Sequence, residues 1–152
     1  MRTMMSRQGA MAVLLMSLLP CAAMADALQD KIEGQWRTQQ KDGVVNIENV
    51  GGEYQGIIVG GDHPDRRDTN NPDPAQRNDL LRGKAILSGL KYQGNGKWSG
   101  GKIYDPNNGK TYSCNAELSG ENILKLRGYI GISLIGRTEL WTRESPTAAS
   151  AH

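Results

Sequence analysis

Turn residues recur at short intervals along most of this chain: Lys41-Asp42-Gly43, Gly51-Gly52, Gly94-Asn95-Gly96, Asp105 to Gly109, and Ser119-Gly120-Glu121. Segments that short cannot build long helices, and no long segment carries a helical period. What lies between the turns alternates with period two. In VVNIENV, Val45 and Ile47 fall on one side, Asn46 and Glu48 on the other. In KTYSCNAEL, Tyr112, Cys114, Ala116 and Leu118 share a face, opposite Thr111, Ser113, Asn115 and Glu117. Leu124 and Leu126 oppose Lys125 and Arg127. Such alternation describes strands with one wet face.

The spacing predicts strands at 35–40, 44–50, 53–59, 82–90, 96–104, 110–118, 122–128 and 136–143. Most are joined by hairpin-length turns. The expected fold is all-β: a single small antiparallel up-and-down β-barrel of about eight strands, whose closure removes exposed sheet edges. The 19 glycines suit a small barrel that must bend at its corners. An outer-membrane barrel would turn apolar residues and aromatic girdles outward. Here the outward positions carry Asn46, Glu48, Lys125 and Arg127, and the chain has no Phe.

The first 25 residues read as a secretory signal peptide. Arg2 and Arg7 precede the apolar run AMAVLLMSLL, and Ala23-Met24-Ala25 is a cleavage motif. The run is too short for a permanent membrane helix. Cys21 invites a lipoprotein reading, but Pro20 stands where a small residue is needed. The expected organisation is a cleaved leader at 1–25, a barrel domain at 26–144, a disordered tail at 145–152, and a periplasmic location. Arg2 and Arg7 are the leader's only charges, so the remainder carries 16 basic and 16 acidic residues. That balance leaves no basic footprint for nucleic acid, and no transmembrane segment is expected. Only Cys114 survives cleavage, so no internal disulfide can form; it reads as a small buried apolar residue.

Motifs for chemistry are sparse. GKWSGGKI at 96–103 approaches a phosphate-binding loop. Ile103 replaces the required hydroxyl, and strand then turn follows where a helix is needed, so no nucleotide site is expected. His63 lies in a long polar loop beside Asp62 and Asp65, with no nucleophile elbow or zinc motif anywhere. The oxygen-rich stretches DPNNG (105–109) and DTNNPD (68–73) lack the calcium-loop pattern and read as turns. No metal or cofactor is expected. The loop from Gly60 to Asp79, stiffened by Pro64, Pro72 and Pro74, is either a lid over one barrel end or a mobile ornament.

Gly34-Gln35-Trp36 opens the first strand and Leu140-Trp141-Thr142-Arg143 closes the last. In a closed barrel these strands are neighbours. An arginine there can stack on an indole and bond the carbonyls of the preceding segment. Gly34, Trp36, Trp141 and Arg143 are therefore assigned to a structural plug. The GQW triplet, IYDPNNGKTYS (103–113), RGYIG with GRTELWTR (127–143), and Asn71-Pro72 together resemble a family of exported bacterial proteins, domain of unknown function 2147. The likeness runs from about Ile32 to Arg143. It implies a lipocalin-like barrel, with Gly34, Trp36 and Arg143 matching that group's G-x-W and late arginine. The family brings no established activity. Lipocalin-like barrels commonly bind small apolar molecules, which is fold analogy.

Three functions follow as expectations. The first is a periplasmic binding protein for a small apolar or amphipathic ligand or lipid. Its wall would include Val45, Ile47, Ile57, Ile86, Tyr112, Cys114, Leu124 and Leu126, and its polar selectors Tyr54, Tyr104, Asp105, Tyr112, Arg127 and Tyr129. The second is an envelope structural or interaction module with a filled core and a binding surface on its loops, which expects an exposed apolar patch or a paired edge, and no ligand-sized cavity. The third is a small enzyme, which would need Asp105, Arg127, Tyr129 or Arg137 and Glu139 to converge in one cleft with shifted pKa values.

Overall fold

Glycines and asparagine at positive φ close several of the expected hairpins in this computed structural model, which describes residues 27–132 and 134–145. At Gly94-Asn95-Gly96 all three residues have positive φ, a conformation that costs glycine nothing. The expected signal peptide and the end of the expected disordered tail, residues 146–152, lie outside the described residues.

Eight strands result: β1 (Gly34–Arg37), β2 (Val44–Val50), β3 (Glu53–Gly60), β4 (Ala85–Gly94), β5 (Lys97–Asp105), β6 (Lys110–Ser119), β7 (Ile123–Tyr129) and β8 (Gly136–Arg143). Each pairs antiparallel with the next, and β8 returns to β1, so the sheet is a closed up-and-down barrel. The β1–β8 seam is short, pairing Trp36 with Arg143 and Arg37 with Thr142. Bonds beyond the ladder reinforce it. Glu144 donates its backbone N–H to the Gln35 carbonyl at 2.8 Å, and its carboxylate accepts from Arg37 at 2.9 and 3.1 Å.

Two strands, β1 and β4, differ from the sequence expectation by more than one residue at an end. β1 stops at Arg37 rather than Gln40, because Thr38 to Gly43 close the turn: the Thr38 N–H donates to the Gly43 carbonyl at 2.9 Å, and its hydroxyl donates to Asp42 and accepts from the Gly43 N–H. β4 begins at Ala85 rather than Arg82, since Leu81 to Lys84 form a turn, and it runs on to Gly94 in the hairpin with β5.

The inward rows hold the core: Trp36, Val45, Ile47, Tyr54, Leu87, Leu90, Trp98, Cys114, Leu124, Leu126 and Trp141, with Ile32 from the short 3-10 helix Asp30–Ile32. The outward rows are mostly polar, with Val50 and Leu140 as exposed exceptions. Glu117 faces Lys97 on one neighbour and Lys125 on the other, an opposite-charge arrangement across strands. Among the described residues no helix is long and apolar enough to cross a membrane.

Candidate functional site

The two barrel ends are built differently. At the end where β1 begins, Trp36, Tyr54, Trp98, Leu90 and Leu124 fill the interior. Tyr54 meets Trp98 edge-on at 6.1 Å. The Arg143 guanidinium lies 4.1 Å from the centre of the Trp36 ring. It donates to the carbonyls of Glu121 at 2.8 Å and Glu33 at 3.0 Å, while Trp36 Nε1 donates to the Ile32 carbonyl at 2.8 Å. Gly34 has φ +115°, and a Cβ there would come 3.2 Å from Arg143. Trp141 is not part of this plug. Its inward row on β8 continues through Glu139 to Arg137, so the indole faces the other half of the barrel.

That other half is hollow. A cavity of about 510 Å3 opens at the far end. Its apolar wall is Val45, Ile58, Ile86, Ile103, Leu126 and Trp141. The missing side chain at Gly128, between Tyr112 and Ile103, helps make the space. Along β8 the inner row passes from apolar to charged towards the mouth: Trp141, then Glu139, then Arg137. Glu139 accepts from Trp141 Nε1 at 3.3 Å and pairs with Arg137 at 3.4 Å.

The long loop is an ordered cover beside this mouth. It runs from Gly61 to Lys84 and contains a short 3-10 helix, Pro74–Gln76, and a bridge between Arg67 and Leu80. It is folded around Asp68, which is fully buried. The Asp68 carboxylate accepts from Tyr104 Oη at 2.6 Å and Asn71 Nδ2 at 2.6 Å, and pairs with Lys84 Nζ at 2.7 Å. Burial alone would raise its pKa. The hydrogen bonds from Lys84, Tyr104 and Asn71 outweigh that and hold it below the ordinary carboxylate value. Burial and the adjacent Asp68 charge push the Tyr104 phenol up to about 12, so it remains a donor.

The two oxygen-rich stretches prove to be partners. Asn70 Nδ2 donates to the carbonyls of Pro106 and Asn107, and Arg66 donates to Asn107 Oδ1 at 2.8 Å and Asp42 Oδ2 at 3.4 Å. Gly109 has φ +70°, and a Cβ there would overlap the Asn70 carbonyl. The loop is thus tied to both neighbouring hairpin turns of the open end.

Of the expected selectors, Tyr104, Asp105, Tyr112 and Tyr129 line the cavity. Tyr104 is the latch to Asp68. Asp105 spends its carboxylate on its own turn, accepting from the Asn107 N–H and Asn108 Nδ2. The Tyr112 hydroxyl accepts from Asn108 Nδ2 at 2.9 Å. Tyr54 lies at the opposite, filled end, because the β2–β3 turn that precedes it is at that end. Arg127 faces outward, opposite Leu126 in the alternation, and donates to Thr138 Oγ1 and the Leu134 carbonyl. Of the expected wall, Val45, Ile86, Tyr112 and Leu126 line the cavity, while Ile47, Cys114 and Leu124 are packed in the core. Ile57 pairs with outward Asn46, and Ile58 takes the inward place opposite Val45. Cys114 is fully buried, and burial pushes its thiol up to about 12, far from thiolate chemistry.

Asp68, Lys84 and Arg66 were not singled out from sequence as functional. Their pairings join distant segments, and no local pattern announces them. Glu139 and Arg137 were considered only for chemistry. The alternation of GRTELWTR already set them on one row with Trp141.

A family profile described as "Uncharacterized protein conserved in bacteria (DUF2147)" matches residues 34–143. The chain belongs to the DUF2147 family. A search of curated proteins returned no match. Among solved structures, this DUF2147 chain is similar to HP1028 from Helicobacter pylori, titled as belonging to the lipocalin family. The TM-score is 0.70 at 26% identity, covering 76% of this chain and 84% of that one. The DUF2147 barrel described above is therefore lipocalin-like in fold. The matched stretch holds both the Trp36–Arg143 plug and the residues around the cavity.

Proposed function

We propose that this DUF2147 protein is an exported, periplasmic carrier or sensor that binds one small apolar or amphipathic molecule in the open half of its barrel. The observation that carries this reading is the cavity itself. It is about 510 Å3, with an apolar wall at depth and a rim where Glu139, Arg137 and Asn108 stand beside Ile130 and Ile135. That size falls in the range of roughly 300–1,000 Å3 typical of small-molecule sites. Apolar burial would supply affinity. Glu139, Arg137 and the Asn108–Tyr112 pair would select the polar end of the ligand. The lipocalin-like fold supports the reading by analogy, and the leader motif at 1–25 supports export.

The filled-core alternative expects no ligand-sized cavity, which counts against it here. The enzyme reading draws on Asp105, Arg127, Tyr129 or Arg137 and Glu139, and all of these but Arg127 line the cavity. Arg127 is absent from the cavity lining, and its guanidinium is bonded to Thr138 and Leu134.

Native mass spectrometry of protein recovered from the periplasm tests the proposal. A stoichiometric small molecule, released on denaturation, is the expected result. Ile103→Trp would fill part of the cavity and lower the affinity for an apolar fluorescent probe by ~10-fold or more, with the fold retained. A clean unliganded mass, together with no binding of offered fatty acids or envelope lipids, would sink it.

A further inference from the structure

The β7–β8 loop breaks the rule that governs the rest of the surface. Ile130, Ile132, Leu134 and Ile135 are 69%, 58%, 84% and 72% exposed. They are four large aliphatic side chains on one hairpin tip, each more exposed than Val50, at 52%, or any other large apolar side chain among the described residues. The tip is held in place. The Ile135 N–H donates to the Ile132 carbonyl at 3.1 Å, and Arg127 reaches from the strand below to the Leu134 carbonyl at 3.2 Å. Backbone groups of Ile132, Leu134 and Ile135 are thus bonded while their side chains face solvent. Two of them, Ile130 and Ile135, also line the cavity mouth.

We propose that this tip is a membrane-docking element, inserting into the interfacial region of an anionic bilayer so that the cavity mouth opens against lipid. Three observations favour a bilayer. From Gly128 to Gly136 the sequence contains no charged residue, and arginines flank it on both sides, at 127 and 137. Aliphatic side chains bounded by arginines, with Tyr129 at the base, match the layering of a headgroup interface. The patch is also small and convex. Four side chains fall short of the ~800 Å2 that each partner contributes to a standard protein interface, whereas shallow insertion needs only a few aliphatic groups. Finally, the tip is continuous with the mouth. Insertion would let an apolar molecule pass between bilayer and barrel without crossing water. That last consequence rests on the cavity reading above; the docking does not.

Leu134→Trp supplies a local reporter, since Trp36, Trp98 and Trp141 are all buried. In protein recovered from the periplasm, its emission should shift to the blue on vesicles of equal parts phosphatidylethanolamine and phosphatidylglycerol. Brominated acyl chains in those vesicles should quench it. Vesicles of phosphatidylcholine alone should bind more weakly. The pair Ile132→Asp and Leu134→Asp, neither position lining the cavity, should cut the vesicle-bound fraction by ~10-fold or more. That variant should still bind an apolar fluorescent probe, which shows that the barrel is intact. Emission unchanged by vesicles would overturn the proposal. So would vesicle binding that survives both aspartates, or a dimer in sedimentation that the aspartates dissociate. Vesicle docking by a protein that binds no probe would uphold this inference and remove the cavity reading instead.

Discussion

One end of this barrel is packed with rings and the other is empty, though the same eight strands make both. At the packed end, Trp36, Tyr54 and Trp98 fill the inward rows, and Arg143 covers Trp36 at 4.1 Å. At the open end the inward rows carry Gly128, Ile58, Ile103 and Ile86, and a cavity of about 510 Å3 remains. Burial of large apolar groups stabilises the fold, while an unfilled apolar volume forgoes that gain. The contrast separates the tasks: one half closes the seam and secures the fold, and the other is left free for a ligand, a cover and an exposed tip.

The largest expected effect lies at the packed end. Trp36→Ala removes a fully buried indole, its bond to Ile32 and the surface on which Arg143 stacks. Loss of a buried tryptophan costs about 3–5 kcal/mol. Urea denaturation should show a loss in that range. Leu134→Ala, at the exposed tip, should change stability by less than about 0.5 kcal/mol. Near-equal losses would erase the distinction between the ends.

The cover comes next. Asp68→Ala removes the acceptor shared by Lys84, Tyr104 and Asn71. Breaking such a buried pair costs roughly 3–5 kcal/mol at most, less here because Lys84 retains some access to water. Hydrogen exchange should accelerate at 66–81 before it does in the β-strands. The sign with pH follows from the depressed Asp68 carboxyl. Its contribution is fully present above the unfolded value of about 3.9 and is lost as pH falls through the lower, folded value. In the parent protein the loop should therefore loosen only below about pH 4. Asp68→Asn should lack that acid step. Exchange that is flat from neutral pH through strong acid in the parent would contradict the latch.

The sequence made the strands legible because each turn carries its own chemistry and each strand its own alternation. VVNIENV and GRTELWTR begin and end where β2 and β8 do. Boundaries slipped where a side chain rather than a turn residue ended the ladder, as at Thr38. The plug was half legible: strand order placed Trp36 beside Arg143, while the inward phase of β8 put Trp141 on the cavity side. Alternation assigns faces but not heights. It set Tyr54 on the inner face without saying that the inner face there belongs to the filled end. Ile57 is on the wrong phase for the expected wall: alternation from Tyr54 through Gly56 already sets Ile58 inward, and pairing with Val45 agrees. The cover was least legible, because Asp68 finds Lys84 and Tyr104 across long stretches of chain.

The smallest effects give the sharpest test, since one substitution can be made at two glycines that flank Cys114, one against the packed core and one on the cavity edge. Gly101 and Gly128 both sit on inward rows, and neither has a positive φ. A Cβ at Gly101 would lie 2.7 Å from two carbons of Leu90 and 3.1 Å from the Ser88 carbonyl. Both neighbours are held in the packed half, so something must move, and overpacking of this kind costs about 1–3 kcal/mol. A Cβ at Gly128 would find its nearest neighbours at 3.6 and 3.7 Å, on Tyr112 and Ile103, ordinary contact at the cavity edge. Gly128→Ala also restricts the unfolded chain, which favours folding by about 0.4–1 kcal/mol where the backbone tolerates it. Denaturation midpoints should fall for Gly101→Ala and hold or rise slightly for Gly128→Ala. If the order were reversed, the free space would lie on the wrong side of Cys114, and the open half would be no better a binding site than the closed one.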